Sequence, residues 1–178
     1  MAGFWIALAD PSFAVDRVLV GAVTCLINEG LADSERGLWV PGSERVSAEL
    51  VKSFVAGGEL VLVRHQGLIA GVARVRFLSA SEAECTLVVR DPRFRGRRIG
   101  SDLLAFAGQW AAGLGAARIR AELLTPRAPA NPARKFLCGW LERHGYRHVG
   151  TGDLADWPPA VRSRLATAGD NLVFYRSL

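Results

Sequence analysis

A basic stretch between residues 90 and 104 holds the side chains with the clearest chemical use. Five arginines fall within nine positions of it: Arg90, Arg93, Arg95, Arg97 and Arg98. Apolar residues then recur at helical spacing, so the arginines precede the start of a helix. A helix N-terminus exposes unpaired backbone N–H groups and carries a partial positive charge, which together favour an anion. The stretch therefore predicts a binding site for a diphosphate.

Glycines in the same stretch suit close contact with a ligand. Gly96 and Gly100 let it approach the main chain without an intervening Cβ, while Arg97 and Arg98 can add charge-assisted contacts. The sequence has neither G-x-x-x-x-G-K-[ST] nor G-x-G-x-x-G after a strand, which excludes a P-loop and an ordinary dinucleotide fold. It also lacks G-x-S-x-G, H-E-x-x-H and a paired cysteine site, so no metal is expected.

The elements that must position this stretch predict an α/β fold. Alternating or β-rich runs predict strands and apolar residues three and four apart predict helices, in the order β-α-α-β-β-β-α-β-α-β-β. The strand at 84–89 leads into the arginine-rich residues 90–98, which we call the basic turn, and an amphipathic helix begins at Ile99. Asn131, followed by proline, is expected to cap the next helix.

Length and composition predict a single domain over residues 1–178. Half of the 178 residues are hydrophobic, which suffices for one buried core and is short for two. No run of 18 apolar residues occurs, and no basic segment precedes the short apolar run near residue 5. Three cysteines lie far apart and are expected to be free thiols. We therefore expect a cytoplasmic protein that has no membrane partner.

The charge of the chain points to an anionic partner. The formal net charge is +5, and among the 22 basic residues only Lys52 and Lys135 are lysines. Arginine suits bidentate binding of phosphate. Charge alone leaves nucleic acid, a membrane surface and a phosphorylated small molecule open. Nucleic acid is disfavoured, because Phe94 is the only aromatic residue within the basic run and no helix-turn-helix or zinc pattern accompanies it.

Two short motifs, RGRRIG and WLERHGY, resemble the signatures of one protein family. The first resembles Arg/Gln-x-x-Gly-x-Gly/Ala, with Arg95 and Gly100 in place and Arg98 at the position of the middle glycine. The second resembles aromatic-Tyr-x-x-x-Gly-aromatic. Both signatures are those of the GCN5-related N-acetyltransferases, the GNAT superfamily. The resemblance is specific from about Glu84 to Tyr146 and looser toward both ends.

The resemblance implies a GNAT-type fold that binds acetyl-CoA. Its sheet is mixed and mostly antiparallel, with about six or seven strands that splay at the fourth and fifth, flanked by about four helices. Acetyl-CoA would lie in that gap, its pantetheine arm held by Leu87, Val88 and Val89. The residues implied to hold the pyrophosphate are Arg95, Gly96, Arg97, Arg98, Ile99, Gly100 and Ser101. Arg93, Arg97 or Arg98 would reach the phosphates from the rim.

The resemblance also implies an N-acetyltransferase, which passes the acetyl group to a primary amine of a small molecule or protein by direct attack in a ternary complex. Glu84 matches a glutamate often found on this strand, and is expected to be the general base, directly or through water, with Glu82 close enough to compete. Leu141 replaces the tyrosine that commonly protonates the leaving thiolate. Cys138 and Tyr146 are alternative donors, or the thiolate, whose thiol has a pKa of about 8.5, leaves without one.

The missing tyrosine keeps a second function open. The chain could be a non-catalytic CoA-binding sensor or interaction module of the same fold. The acceptor is implied to lie against residues 14–53 and 153–169, where Glu29, Asp33 and Glu35 could attract a cationic amine. Homodimers are frequent in the superfamily, so the oligomeric state is open too.

Overall fold

The computed structural model describes residues 3–32, 34–127, 131–157 and 159–178, and within them the chain forms seven strands, five α-helices and three short 3-10 helices. The strands are β1 (Trp5–Leu8), β2 (Leu60–His65), β3 (Leu68–Ser79), β4 (Glu82–Arg90), β5 (Arg118–Pro126), β6 (Arg147–Gly152) and β7 (Gly169–Ser177). The helices are α1 (Arg17–Ala32), α2 (Ala48–Ala56), α3 (Ile99–Gly113), α4 (Pro132–Arg143) and the short α5 (Pro159–Arg162). Apart from α5, which the sequence did not predict, the order is the expected one.

The strands form one mixed sheet in the order β1-β2-β3-β4-β5-β7-β6. Every neighbouring pair is antiparallel except β4 and β5, which are parallel. These two pair only where Glu82–Glu84 face Arg118–Arg120, and they separate beyond that point. The predicted mixed, mostly antiparallel sheet that splays between the fourth and fifth strands is therefore confirmed.

An irregularity in β4 accompanies the separation. Leu87 has a φ of 52°, in the left-handed region that is uncommon for a residue with a Cβ. The register with β3 changes there. Val72 and Arg74 are two residues apart on β3, but their partners on β4, Val89 and Thr86, are three residues apart. An extra residue on one strand of an antiparallel pair is a β-bulge, which bends the strand. The bulge turns β4 just after its last pairing with β5.

Helices cover both faces of the sheet. The core beneath α3 and α4 includes Leu103, Leu104 and Leu141, whereas the core beneath α1 and α2 includes Val23 and Val51. Each large apolar side chain buried in these cores stabilises the fold by about 1.5–3 kcal/mol. No helix in the described ranges is long and apolar enough to span a bilayer.

Helices α3 and α4 differ in how their N-termini are capped. Asn131 caps α4 as predicted, its Oδ1 accepting from the N–H groups of Ala133 (2.9 Å) and Arg134 (3.3 Å). Arg98 precedes α3 in a left-handed conformation, with φ 59°, and its side chain makes no capping hydrogen bond. The first turn of α3 therefore keeps its backbone donors for another partner.

Candidate active site

A cleft of about 470 Å³ lies where β4 and β5 separate. Its lining comprises Gly30, Leu31, Ser34, Glu35 and Arg45; Cys85–Arg90 of β4; Gly96, Arg98–Ser101 and Leu104 of the basic turn and α3; Ala121–Leu124 of β5; Arg134, Phe136, Leu137, Trp140 and Leu141 of α4; Trp157; and Asn171. One cavity is thus lined by the edge of β4, the basic turn and the start of α4.

The β4 side of the cleft presents main chain. Leu87, Val88 and Val89 all line the cavity. Because the pairing with β5 stops at Glu84, the backbone edge beyond it faces the cleft instead of a neighbouring strand. Such an edge offers N–H and C=O groups to an extended ligand in the way that a sheet edge accepts an added strand.

The start of α3 presents backbone donors to the same cavity. Its first i→i−4 hydrogen bond runs from the N–H of Asp102 to the carbonyl of Arg98 (3.0 Å), so the N–H groups of Ile99, Gly100 and Ser101 precede the helical pattern. Gly100 has a packing role as well, because a Cβ there would lie 3.2 Å from Cζ2 of Trp140. This glycine lets α4 approach α3 beside the cleft.

The arginines of the basic turn divide into three groups. Arg90 and Arg98 line the cleft, whereas Arg95 and Arg97 lie outside its lining; Arg95, Arg97 and Arg98 are all exposed. Arg93 is held by Asp91, its Nη2 donating to Oδ2 at 2.6 Å. This hydrogen bond lowers the pKa of the Asp91 carboxyl below its usual value. Arg93 therefore stabilises the turn that leads into α3.

The two glutamates proposed for base catalysis lie where β4 and β5 still pair. Glu84 is 5% exposed, and its Oε2 accepts from Nε of Arg76 at 2.8 Å. Glu82 accepts from the hydroxyl of Tyr175 (2.7 Å) and from Arg118. Burial alone would raise the pKa of Glu82, but these hydrogen bonds outweigh it and lower that pKa. Neither carboxylate is part of the cleft lining.

Sequence analysis missed several polar residues of the cleft, among them Glu122 and Asn171. Glu122 lines it from β5 and forms an ion pair with Arg120. Asn171 lines it from β7, is buried, and has no partner for its Oδ1 within the described ranges. The signal for Glu122 was available, since it alternates with buried residues on the strand beside β4. Asn171 has no comparable signal, because its position depends on how β7 pairs with β5.

The candidate proton donors lie at different depths. Leu141 lines the cleft, whereas Cys138 and Tyr146 are not part of its lining. Burial raises the pKa of the Tyr146 hydroxyl above its usual value. Cys85 does line the cleft, and burial raises the pKa of its thiol to about 12. Across the described residues, no group of three or more His, Cys, Asp or Glu side chains could hold a metal ion.

The three acidic residues assigned to an amine-binding surface differ in position. Glu29 is exposed on α1 and accepts from Sγ of Cys25 at 3.1 Å. Asp33 lies outside the described residues. Glu35 lines the cleft but is 7% exposed, and its Oε2 accepts from Nε1 of Trp39 at 2.6 Å. Glu35 is therefore a buried group of the cleft wall and not a surface carboxylate.

The fold and the cleft define an α/β protein in which an uncapped helix N-terminus lies beside two parallel strands that separate. The family model described as "Acetyltransferase (GNAT) family" matches residues 27–146, which span β4, the basic turn, α3 and α4. The chain belongs to this family, whose reaction is acetyl transfer. The resemblance seen in the two sequence motifs is confirmed.

Solved structures of similar fold include several with coenzyme A. The PaiA N-acetyltransferase from Thermoplasma acidophilum, in complex with coenzyme A, is 12% identical, with a TM-score of 0.72 over 99% of both chains. Rv2747 from Mycobacterium tuberculosis, solved with CoA, is 14% identical, with a TM-score of 0.64 over 98% of this chain and 99% of that one. N-acetylglutamate synthase from Neisseria gonorrhoeae, complexed with coenzyme A and N-acetyl-glutamate, is 19% identical, with a TM-score of 0.63; the match covers 100% of this chain and 36% of that one. These likenesses show the fold. No curated protein matches the sequence.

Proposed function

We propose that the protein is an acetyl-CoA-dependent N-acetyltransferase that acts on a primary amine of a small molecule or protein, by direct attack in a ternary complex. The observation that carries the proposal is the continuous cleft that joins the unpaired edge of β4 to the uncapped first turn of α3. An extended amide-containing arm matches the first feature and a diphosphate matches the second.

The residues that line the cleft match the chemical parts of acetyl-CoA. Leu87, Val88 and Val89 supply the strand edge for the pantetheine arm. The N–H groups of Ile99, Gly100 and Ser101 supply donors for the pyrophosphate, beside the guanidinium of Arg98. A Cβ at Gly96 would have nothing within 4 Å, so the space beside it is open. The exposed guanidinium groups of Arg95 and Arg97 add positive charge at the rim.

Acetyl-CoA supplies an acyl group activated as a thioester, and the protein positions the amine and accepts its proton. Alignment of two reactants can supply an effective molarity of about 10⁵ M or more. We assign the general base to Glu84, acting through water because its carboxylate is outside the cleft lining. Glu122 is the alternative base, because it lines the cleft on the facing strand.

The leaving thiolate departs without a dedicated acid in this proposal. Leu141 carries no proton to donate. Cys85 lies in the cleft, but burial raises the pKa of its thiol to about 12. It is therefore a poor proton donor to the leaving thiolate, whose conjugate thiol has a pKa of about 8.5. The hydroxyl of Tyr146 is outside the cleft lining, and its pKa is raised by burial.

Thermal unfolding of the purified protein with saturating acetyl-CoA tests the cofactor site, with ADP and NADPH as anionic controls. A ligand at about 100 times its Kd adds about 2.7 kcal/mol of stability, which raises Tm by a few degrees. We expect a shift with acetyl-CoA that the controls do not produce. Absence of that shift contradicts the proposal.

Release of free thiol from acetyl-CoA in the presence of amines separates the two functions left open by the sequence. An enzyme releases thiol with at least one class of amine, whereas a non-catalytic CoA-binding module shows the thermal shift and no release. We favour the enzyme, since the family's reaction is acetyl transfer and carboxylates lie both in the cleft and beside it.

A single domain over residues 1–178 and a cytoplasmic location stay predictions, and homodimer formation stays open. Light scattering of the purified protein across a concentration series measures the mass in solution. A mass near 19.2 kDa at every concentration indicates a monomer, and twice that value indicates a dimer.

A further inference from the structure

Three charged residues from distant parts of the sequence meet in one part of the cleft, which we call the arginine corner: Glu35, Arg45 and Arg134. Glu35 follows α1, Arg45 precedes α2, and Arg134 lies in the first turn of α4. None of these elements contributes the strand edge or helix start that we assign to acetyl-CoA. The arginine corner therefore suits a second ligand.

Guanidinium N–H groups in the arginine corner are buried without hydrogen-bond partners. Arg134 is 3% exposed, and its Nε and Nη2 have no hydrogen bond to any described residue. Its Nη2 lies 2.9 Å from Oε1 of Glu35, close enough for an ion pair but without hydrogen-bond geometry. Nε of Arg45 lies 3.4 Å from Oε2 of Glu35 and likewise makes no hydrogen bond to a described residue. A buried donor left without an acceptor is costly, so these groups favour an added acceptor.

The charge of the arginine corner is also unbalanced. Within the described ranges, two guanidinium groups face the single carboxylate of Glu35, which already accepts from Trp39. Burial lowers the pKa of Arg45, and the charges of Arg134 and Arg164 lower it further against the opposing effect of Glu35. One more negative charge would relieve this repulsion, and a carboxylate carries that charge.

The guanidinium of Arg45 is fixed by aromatic rings. Its Cζ lies 4.7 Å from the ring centroid of Trp39 and 5.7 Å from that of Trp157, which also lines the cleft. Stacking holds the planar fork of an arginine in a defined orientation, and a planar fork matches the two oxygens of a carboxylate. The corner is thus built to recognise a planar anion.

We propose that the acceptor is a small amine that also carries a carboxylate, as an amino acid does, and that Arg45 and Arg134 bind this carboxylate. The inference rests on the proposed acetyl transfer, because it concerns the second substrate of that reaction. It narrows the acceptor to compounds with an amine and a carboxylate in one molecule.

Thiol release from acetyl-CoA with matched amine pools tests the proposal. One pool contains the standard amino acids other than cysteine, whose own thiol would register as product, and the second contains the same compounds as carboxamides; phosphoethanolamine and a denatured protein without cysteine are run beside them. We expect release with the carboxylate pool to be at least about tenfold faster than with the carboxamide pool, as loss of a charge-assisted contact predicts. Equal rates, or a preference for phosphoethanolamine or protein, overturn the proposal. So does a carboxylate pool that neither releases thiol nor raises Tm of the complex with CoA.

Substitution of each arginine tests whether Arg45 and Arg134 cause the preference for amines that carry a carboxylate. Arg45→Met and Arg134→Met should each raise KM for the carboxylate acceptor by about 10- to 100-fold and leave KM for acetyl-CoA nearly unchanged. Lys135→Met is the matched control, because Lys135 is the next residue of α4 and is exposed. If Arg134→Met fails to fold, Arg45→Met still tests the proposal, because the Arg45 side chain is 24% exposed whereas that of Arg134 is 3% exposed. If the arginines only stabilise the fold, Tm falls and the ratio of carboxylate to carboxamide rates stays the same.

Failure of this inference can be told from failure of the proposed function. Without a thermal shift by acetyl-CoA, the acetyltransferase itself is in question. With that shift and thiol release but no preference for a carboxylate, only the assignment of the arginine corner is wrong.

Discussion

The basic turn and the arginine corner both present positive charge to one cleft, but they do so by different means. At the turn, backbone N–H groups of α3 face the cavity and most of the arginines are exposed around it. In the arginine corner, the positive charge comes from guanidinium side chains, and Arg134 is almost completely buried. The turn can bind an anion through local geometry alone, whereas the corner exists only when α4 packs against the segment after α1.

This difference predicts different responses to substitution. An exposed ion pair is screened by water and contributes little, while removing one partner of a buried ion pair leaves an uncompensated charge. Changes in the arginine corner should therefore affect folding and acceptor use. Changes in the turn should affect acetyl-CoA binding with only small effects on folding.

Glu35→Gln should have the largest effect on stability. It removes the carboxylate that faces Arg45 and Arg134, and the expected loss is about 3–5 kcal/mol in the free energy of unfolding. Urea unfolding measures it. A loss below about 1 kcal/mol would mean that water or an anion already balances the two arginines, and the contrast between the regions would be weaker than we infer.

Glu84→Gln and Glu122→Gln separate the two candidate bases. The variant that removes the base should lower kcat by about 10²- to 10⁴-fold, with little change in the thermal shift by acetyl-CoA. We expect this result for Glu84→Gln. A comparable loss for Glu122→Gln alone would move the base to the β5 side of the cleft, and no loss in either would leave catalysis to alignment.

Arg98→Gly should change stability and binding in opposite directions. Arg98 occupies a left-handed conformation that glycine adopts without strain, so the variant should gain about 1 kcal/mol of stability. It also removes a guanidinium from the cleft, so the affinity for acetyl-CoA should fall. Thermal unfolding with and without acetyl-CoA measures both effects. Unchanged affinity would show that backbone N–H groups alone hold the diphosphate.

Asp91→Asn should have the smallest effect, and it should depend on pH. The hydrogen bond from Arg93 lowers the pKa of Asp91 in the folded state, so its contribution is present above the unfolded value of 3.8 and lost as pH falls through the folded value. The exposed Arg93 guanidinium keeps this contribution small. Stability should differ between wild type and variant at pH 7 and converge once the pH falls below the lowered pKa of Asp91. A difference that persists in acid would assign the effect to the backbone turn instead.

Sequence alone determined what depends on neighbours along the chain. Helical spacing after Ile99, glycines in the turn, and the Asn131 cap with its proline are local signals, since each depends on residues within one or two turns of backbone. The order of strands and helices follows from the same signals. The family resemblance added the splayed sheet and the pantetheine assignment, which spacing could not supply.

Tertiary structure alone decided what depends on residues far apart. Nothing in the pattern around Glu35, Arg45 or Arg134 indicates that α4 would bury their charges together, because burial and charge balance are properties of packed elements. The bulge at Leu87 depends likewise on strand register, as does the position of Asn171, whose Oδ1 has no hydrogen-bond partner among the described residues. The sequence therefore determined the uncapped basic turn where we propose that a diphosphate binds, and only the packing brought together the charged groups of the arginine corner.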